Sequence, residues 1–151
     1  TRSSVPVIYD KLTDEQLEQL WPDIHRATRE LAPSGIMFAS GVRMAGLKLM
    51  AEQRSREGME MIAWYLSNQK HHGSAGRARE LMQLLLETYG GHARALIPRL
   101  EAAAAYYEPG GLAAPPWGKR ASQPIREGIE KIKAAPTPDW ELTSIAEKLQ
   151  R

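Results

Sequence analysis

Apolar residues recur along this chain at spacings of three and four, the pattern of helices that bury one face. The first stripe holds Leu17, Leu20, Trp21, Ile24, Ala27 and Leu31. Ahead of it, Thr13-Asp14-Glu15-Gln16 reads as a capping box, in which the threonine hydroxyl takes the amide of the glutamine and the glutamine side chain returns to the cap amide. Pro22 sits inside the stripe and predicts a kink or a division there. Pro33-Ser34-Gly35 ends the segment. A second helix is predicted over about residues 36–53, crowded with Met37, Ala45, Leu47, Leu49 and Met50 and carrying Gly41 and Gly46. A third follows Arg54-Ser55-Arg56, with Met59, Ile62, Ala63 and Leu66 on one stripe and Trp64 and Tyr65 beside it.

Beyond a polar turn over residues 67–73, Ser74 is the expected N-cap of a helix striped by Ala78, Leu81, Met82, Leu85 and Tyr89. Gly90-Gly91 stops it. The next helix is predicted over about residues 93–107, with Leu96, Ile97, Leu100, Ala103, Ala104 and Tyr107 inward. Residues 108–123, rich in proline and glycine, read as a long non-helical link. Pro124 suits the first turn of a helix bearing Ile125, Ile129 and Ile132, and Pro136-Thr137-Pro138 breaks that helix. Asp139 is then expected to cap a short last helix with Trp140, Leu142, Ile145 and Leu149. The lead-in over residues 1–12 carries only a short, proline-interrupted apolar run, and no β-pattern of useful length occurs elsewhere. The expected fold is therefore all-α, with six or seven helices in one domain over residues 1–151. Residues 1–35 form an N-terminal capping region, 36–107 two helical hairpins, 108–123 a link and 124–151 a C-terminal helix pair.

The two hairpins look like copies. An offset of 35 residues aligns Gly41 with Gly76, Leu47 with Met82, Leu49 with Leu84, Met50 with Leu85, Met61 with Leu96 and Ile62 with Ile97. A pair of amphipathic helices cannot bury its own apolar face alone, so such pairs stack. Within the second copy, Gly90, Ala93, Ala95, Ile97, Pro98 and Leu100 resemble the bacterial HEAT-like repeat. In that family a helix ends in glycine, a short alanine-rich turn follows, and an apolar-Pro-x-Leu step opens the second helix. The match spans residues 41–107 and is closest in the second copy; the first lacks the proline, and Gly41-Val42-Arg43 only partly echoes the family's Asp-x-x-Val-Arg step. The resemblance implies a stacked helical array (an α-solenoid) with a concave face that binds proteins or acts as a scaffold. Such arrays are often regions of longer chains, and the opening Thr1-Arg2-Ser3-Ser4 suits that expectation.

Composition narrows the chemistry. A hydrophobic fraction of 42% is too high for intrinsic disorder. The absence of cysteine excludes disulfides, thiolate metal sites and cysteine nucleophiles. No apolar run approaches the roughly 20 residues of a membrane helix. The net charge of +2 is too small to imply a polyanion partner. Charge is nevertheless uneven: residues 41–107 carry 9 basic and 6 acidic groups, an excess that keeps a HEAT-like nucleic-acid-binding domain open as an alternative.

The candidate site is the basic turn between Glu60 and Glu80, a stretch without acids that holds Lys70, His71, His72, Arg77 and Arg79. Gly73-Ser74-Ala75-Gly76 lies at its helix start, where free amides attract an anion; the plainer account is a solvated turn with a serine cap. Trp64 and Tyr65 stand next to this turn as aromatic anchors for a partner, against the plainer account of core packing. The expected partner- or anion-binding residues are thus Trp64, Tyr65, Lys70, His71, Arg77 and Arg79. Trp117, in the link, is expected to anchor it to the array. His25, His71, His72 and His92 show no metal-ligand spacing, and Glu57/Glu60 and Glu127/Glu130 read as solvated helix faces. No cofactor, metal site or catalytic constellation is expected. The leading expectation is a non-catalytic protein-interaction or scaffold module of a longer bacterial protein. Beside nucleic-acid binding, the other alternative is an anion- or small-molecule-binding accessory region of an enzyme.

Overall fold

The computed structural model describes residues 37–67, 74–108 and 118–144, together with Thr13, Glu15, Gln16, Gln19 and Asp23. The capping box is in place. Gln16 N donates to Thr13 Oγ1 at 3.2 Å, and Thr13 N donates to Gln16 Oε1 at 3.0 Å, with Glu15, Gln16, Gln19 and Asp23 helical. The rest of that stripe, the Pro22 kink, Trp117 and residues 145–151 lie outside the described residues.

Five α-helices are described: α1 (Met37–Glu52), α2 (Arg56–Leu66), α3 (Ser74–Tyr89), α4 (Ile97–Tyr107) and α5 (Gly118–Ala134), with a 3-10 segment Gly90–Leu96 between α3 and α4. There is no strand among the described residues, so the chain is all-helical there. The predicted stripes are the buried ones: Met59, Ile62, Ala63 and Leu66 on α2, Ala78, Leu81, Met82, Leu85 and Tyr89 on α3, and Ile125, Ile129 and Ile132 on α5.

Helices α1 and α2 make one hairpin, and α3 and α4 follow as a second helix–turn–helix unit whose helix lengths repeat, 16 and 11 residues in each; α3 and α4 hardly touch each other, and each packs chiefly against α5. The turns differ. In the first hairpin, Arg54 adopts a left-handed φ of 56° and Ser55 caps α2, accepting from Gly58 N at 3.1 Å. In the second, Gly90 takes a φ of 51°, ends α3 and opens the seven-residue 3-10 segment. A side chain rarely tolerates that conformation, whereas glycine adopts it freely. Helix α4 therefore begins at Ile97, later than its stripe implies, and Pro98 sits in its first turn, where a missing amide hydrogen costs nothing.

Two buried phenols staple the hairpins together. Tyr89 Oη donates to Ser55 O at 2.8 Å and Tyr107 Oη to Leu66 O at 2.7 Å, so the second hairpin grips α2 at both ends. Helix α5 packs mainly against α3 and α4. Gly91 N donates to Pro136 O at 3.0 Å, which brings the C-terminal ends of α3 and α5 together. Glu108, just past the end of α4, meets Arg126 on α5. Helix α5 thus runs parallel to α3 and antiparallel to α4.

Two features of the C-terminal region differ from the pattern. Helix α5 starts at Gly118, inside the stretch read as a link, so Pro124 lies within the helix and not in its first turn. The stripe is extended backwards by buried Ala121, which compensates for the backbone bond the proline lacks. Residues 135–144 form no helix. They run as a strap from the end of α5 across both hairpin turns. Arg94 holds the strap's start through Thr137 Oγ1 at 2.8 Å and the carbonyl of Ala135. At its far end, Arg56 N donates to Thr143 O at 2.8 Å, Thr143 N to Arg54 O at 3.0 Å and Thr143 Oγ1 to Gln53 O at 2.9 Å. Between them Trp140 packs against His92, with ring centroids 4.7 Å apart, under the Arg54 guanidinium at 4.8 Å.

Candidate functional site

The anticipated site residues separate in three dimensions. Tyr65 is buried, 1% exposed, and belongs to the core. Helix α2 packs against α1 on one side and α3 and α4 on others, so its buried arc also takes in Met61 and Tyr65. Trp64, one residue away and about 100° around the helix, is half-buried and lies against the core's edge. Lys70 and His71 lie outside the described residues, as do His25 and His72.

Arg77 and Arg79 sit two residues apart on α3, about 200° around the helix. Arg77 turns towards its own helix, its Nη1 3.3 Å from Glu80 Oε2, and Lys48 on α1 shares the same carboxylate at 3.5 Å. That carboxylate offsets much of the local positive field. Arg79 is exposed and turns the other way, towards α5. The basic turn therefore does not gather its two described arginines into one anion pocket.

Arg79 stands instead at the edge of a groove of about 390 Å³ between α3 and α5. The floor is Met82 and Leu86 from α3 with Pro124 and Gly128 from α5; Gln83, Glu87, Glu127 and Lys131 complete the walls. Gly128 sets the depth. A Cβ on it would lie 3.0 Å from Met82 Cβ and 3.2 Å from Met82 Cγ, so a side chain here would push Met82 aside or part the helices.

The rim has a charge pattern. On α3 it reads Arg79, Gln83, Glu87, and on α5 Gln123, Glu127, Lys131, each at spacings of four residues. Each carboxylate is held by the glutamine of its own helix, Gln83 Nε2 to Glu87 Oε1 at 2.8 Å and Gln123 Nε2 to Glu127 Oε1 at 3.1 Å. Among the described residues no ion pair closes across the groove. An apolar floor is thus flanked by two cations and two carboxylates, all exposed. Such a surface complements a protein side-chain array. It is poorly matched to a phosphate backbone, which would meet Glu87 and Glu127 in the same groove.

Elsewhere, Arg126 clamps Glu108 with two hydrogen bonds, of 2.7 and 3.2 Å, and that hydrogen bonding holds the Glu108 carboxyl below its ordinary range. His92 Nε2 faces the Trp140 carbonyl at 2.7 Å, so that nitrogen carries the proton and donates. Among the described residues no three His, Asp or Glu side chains gather as metal ligands, and no helix is long and apolar enough to cross a membrane.

The groove escaped the sequence reading because it joins positions some 45 residues apart. Its signal, two ridges of charge and glutamine at four-residue spacing, becomes legible only when α5 is known to lie beside α3. Comparison with known proteins gives no match to a family model, to a curated protein or to a solved structure.

Proposed function

We propose that this chain is a non-catalytic protein-interaction module, a stack of HEAT-like hairpins within a longer bacterial protein, and that its contact face is the groove between α3 and α5. One observation carries the reading: a groove whose floor is half-buried Leu86 over buried Met82 and Pro124 runs between two mixed-charge ridges that do not pair with each other. Interfaces bury apolar centres inside polar rims, and rim charges of both signs select a partner by complementarity more than by attraction. The strap over both hairpin turns supports a scaffold role, since it ties the two hairpins to α5 and fixes the face they present.

Site-directed photo-crosslinking tests the reading. A photoreactive residue replaces Gln83 in the groove, or Glu130 on the exposed part of α5 outside it, in cells that make the protein. The expected result is a protein adduct from position 83 and none from 130. Equal adducts from both positions, or an adduct that nuclease removes, would overturn it.

A further inference from the structure

The order of charges around the groove says what kind of partner fits it. Helices α3 and α5 run parallel, and Gly128 lies against Met82, so residue 83 on α3 is level with residue 129 on α5. Gln83 is the midpoint of Arg79 and Glu87, and Ile129 is the midpoint of Glu127 and Lys131. On both ridges the charges are opposite in sign about that common level. At 1.5 Å per residue they stand about 6 Å to either side on α3 and about 3 Å on α5.

A two-fold axis crossing both helices at this level would map Arg79 onto Glu87 of a facing copy and Glu127 onto Lys131. From this self-complementarity we infer that the occupant of the groove is a second copy of this chain, packed face to face with α3 antiparallel to its partner α3 and α5 antiparallel to its partner α5. This is an isologous contact, in which one patch serves both subunits. Four ion pairs then close, two of each kind. The two grooves then face each other across the axis, and the four rim charges left open across the groove each gain an opposite charge. The inference rests on the reading of the groove as a protein-contact face.

The chain has no cysteine, so one introduced thiol reports on the axis without interference. A residue on a two-fold axis faces itself. Gln83→Cys in the purified chain should therefore oxidise to a species of twice the chain mass, while Gln123→Cys, about 9 Å along α5 from the axis level, should not. Sedimentation equilibrium on uncrosslinked variants gives the second arm. Arg79→Glu and Glu87→Arg each place like charges opposite one another and should weaken association about tenfold or more. The double variant restores both pairs with signs exchanged and should return to within about twofold of the original. All four substitutions are at exposed positions, so folding is retained. A chain that sediments as a monomer throughout, a Gln83→Cys variant that stays single, or a double reversal as weak as its parents would each overturn the inference. If the chain is monomeric and a photoreactive residue at position 83 captures a different protein in cells, the second copy is refuted and the groove stands as a contact face. If it captures nothing, both readings fall.

Discussion

Tyr89→Phe removes one oxygen from the centre of the molecule, and the structure gives both the size and the pH dependence of the effect. Tyr89 is fully buried and donates at 2.8 Å to Ser55 O, the carbonyl at the cap of α2. That carbonyl also accepts from Met59 N at 3.2 Å, so the phenylalanine variant leaves it with one partner. The cost is then that of one neutral hydrogen bond, about 1 kcal/mol, below the range for a carbonyl left with none. A chain of this size should lose about 2–4 °C in melting temperature. Burial, more than the Glu57 charge, pushes the Tyr89 phenol well above its ordinary pKa, against a smaller opposing effect of its hydrogen bond to Ser55. In the unfolded chain the phenol ionises near pH 10. Above that pH the unfolded state loses a proton that the folded state keeps, so the parent's stability falls while the variant has no such group at this position. Each pH unit past about 10 removes about 1.4 kcal/mol of the parent's advantage. The two proteins should therefore be equally stable near pH 11. Urea unfolding of both between neutral pH and pH 11 measures the gap. A gap that is absent at neutral pH, or that does not narrow above pH 10, would refute the placement of the phenol.

Trp140→Ala should cost about 2 kcal/mol, since the half-buried ring loses its contacts with His92, Tyr89 and the Arg54 guanidinium; thermal unfolding should show it, together with faster hydrogen exchange at the Thr143 amide. Gly128→Ala gains about 1 kcal/mol of helix propensity but brings a methyl group onto the Met82 side chain; the melting temperature should fall, and a rise of the size propensity alone gives would contradict the close approach. A carbon-detected NMR titration should find the Glu108 carboxyl below the ordinary glutamate range and returned to it in Arg126→Gln. Because the folded pKa is depressed, any contribution of this pair to stability is present at neutral pH and is lost as the solution is acidified through that range.

Local signals carried far in this chain. The capping box at Thr13, the stripes of α2, α3 and α5, the stop at Gly90 and the break after α5 depend on neighbours within one or two turns, and periodicity reports them directly. The misreadings have one cause: a distant contact decided each of them. Trp140, Leu142, Ile145 and Leu149 together read as a helical stripe, but the turns around Arg54 and His92 offer backbone groups and an aromatic seat that hold residues 140–144 out of a helix. Pro124 looks like a helix start, yet Ala121 extends the buried face behind it. Tyr65 reads as an exposed anchor when α2 is given one buried face, and as core once three neighbouring helices surround it. Of the six anticipated site residues, Arg79 reaches the groove, and its companions there come from a helix the local pattern cannot place beside it.

Two faces compete for the partner-binding role. One is the α3–α5 groove; the other is the α2–α4 side, where Trp64 is half-exposed and Arg99 reaches the Glu60 carbonyl at 3.5 Å. The most direct measurement compares photo-crosslinking from Gln83 with that from Arg99 in the same cells, with and without reversal of Arg79 and Lys131 to glutamate. The groove account predicts a protein adduct from position 83 that the reversal removes, and none from position 99. A silent position 83 beside a reactive position 99 would contradict it and move the contact face to α2 and α4.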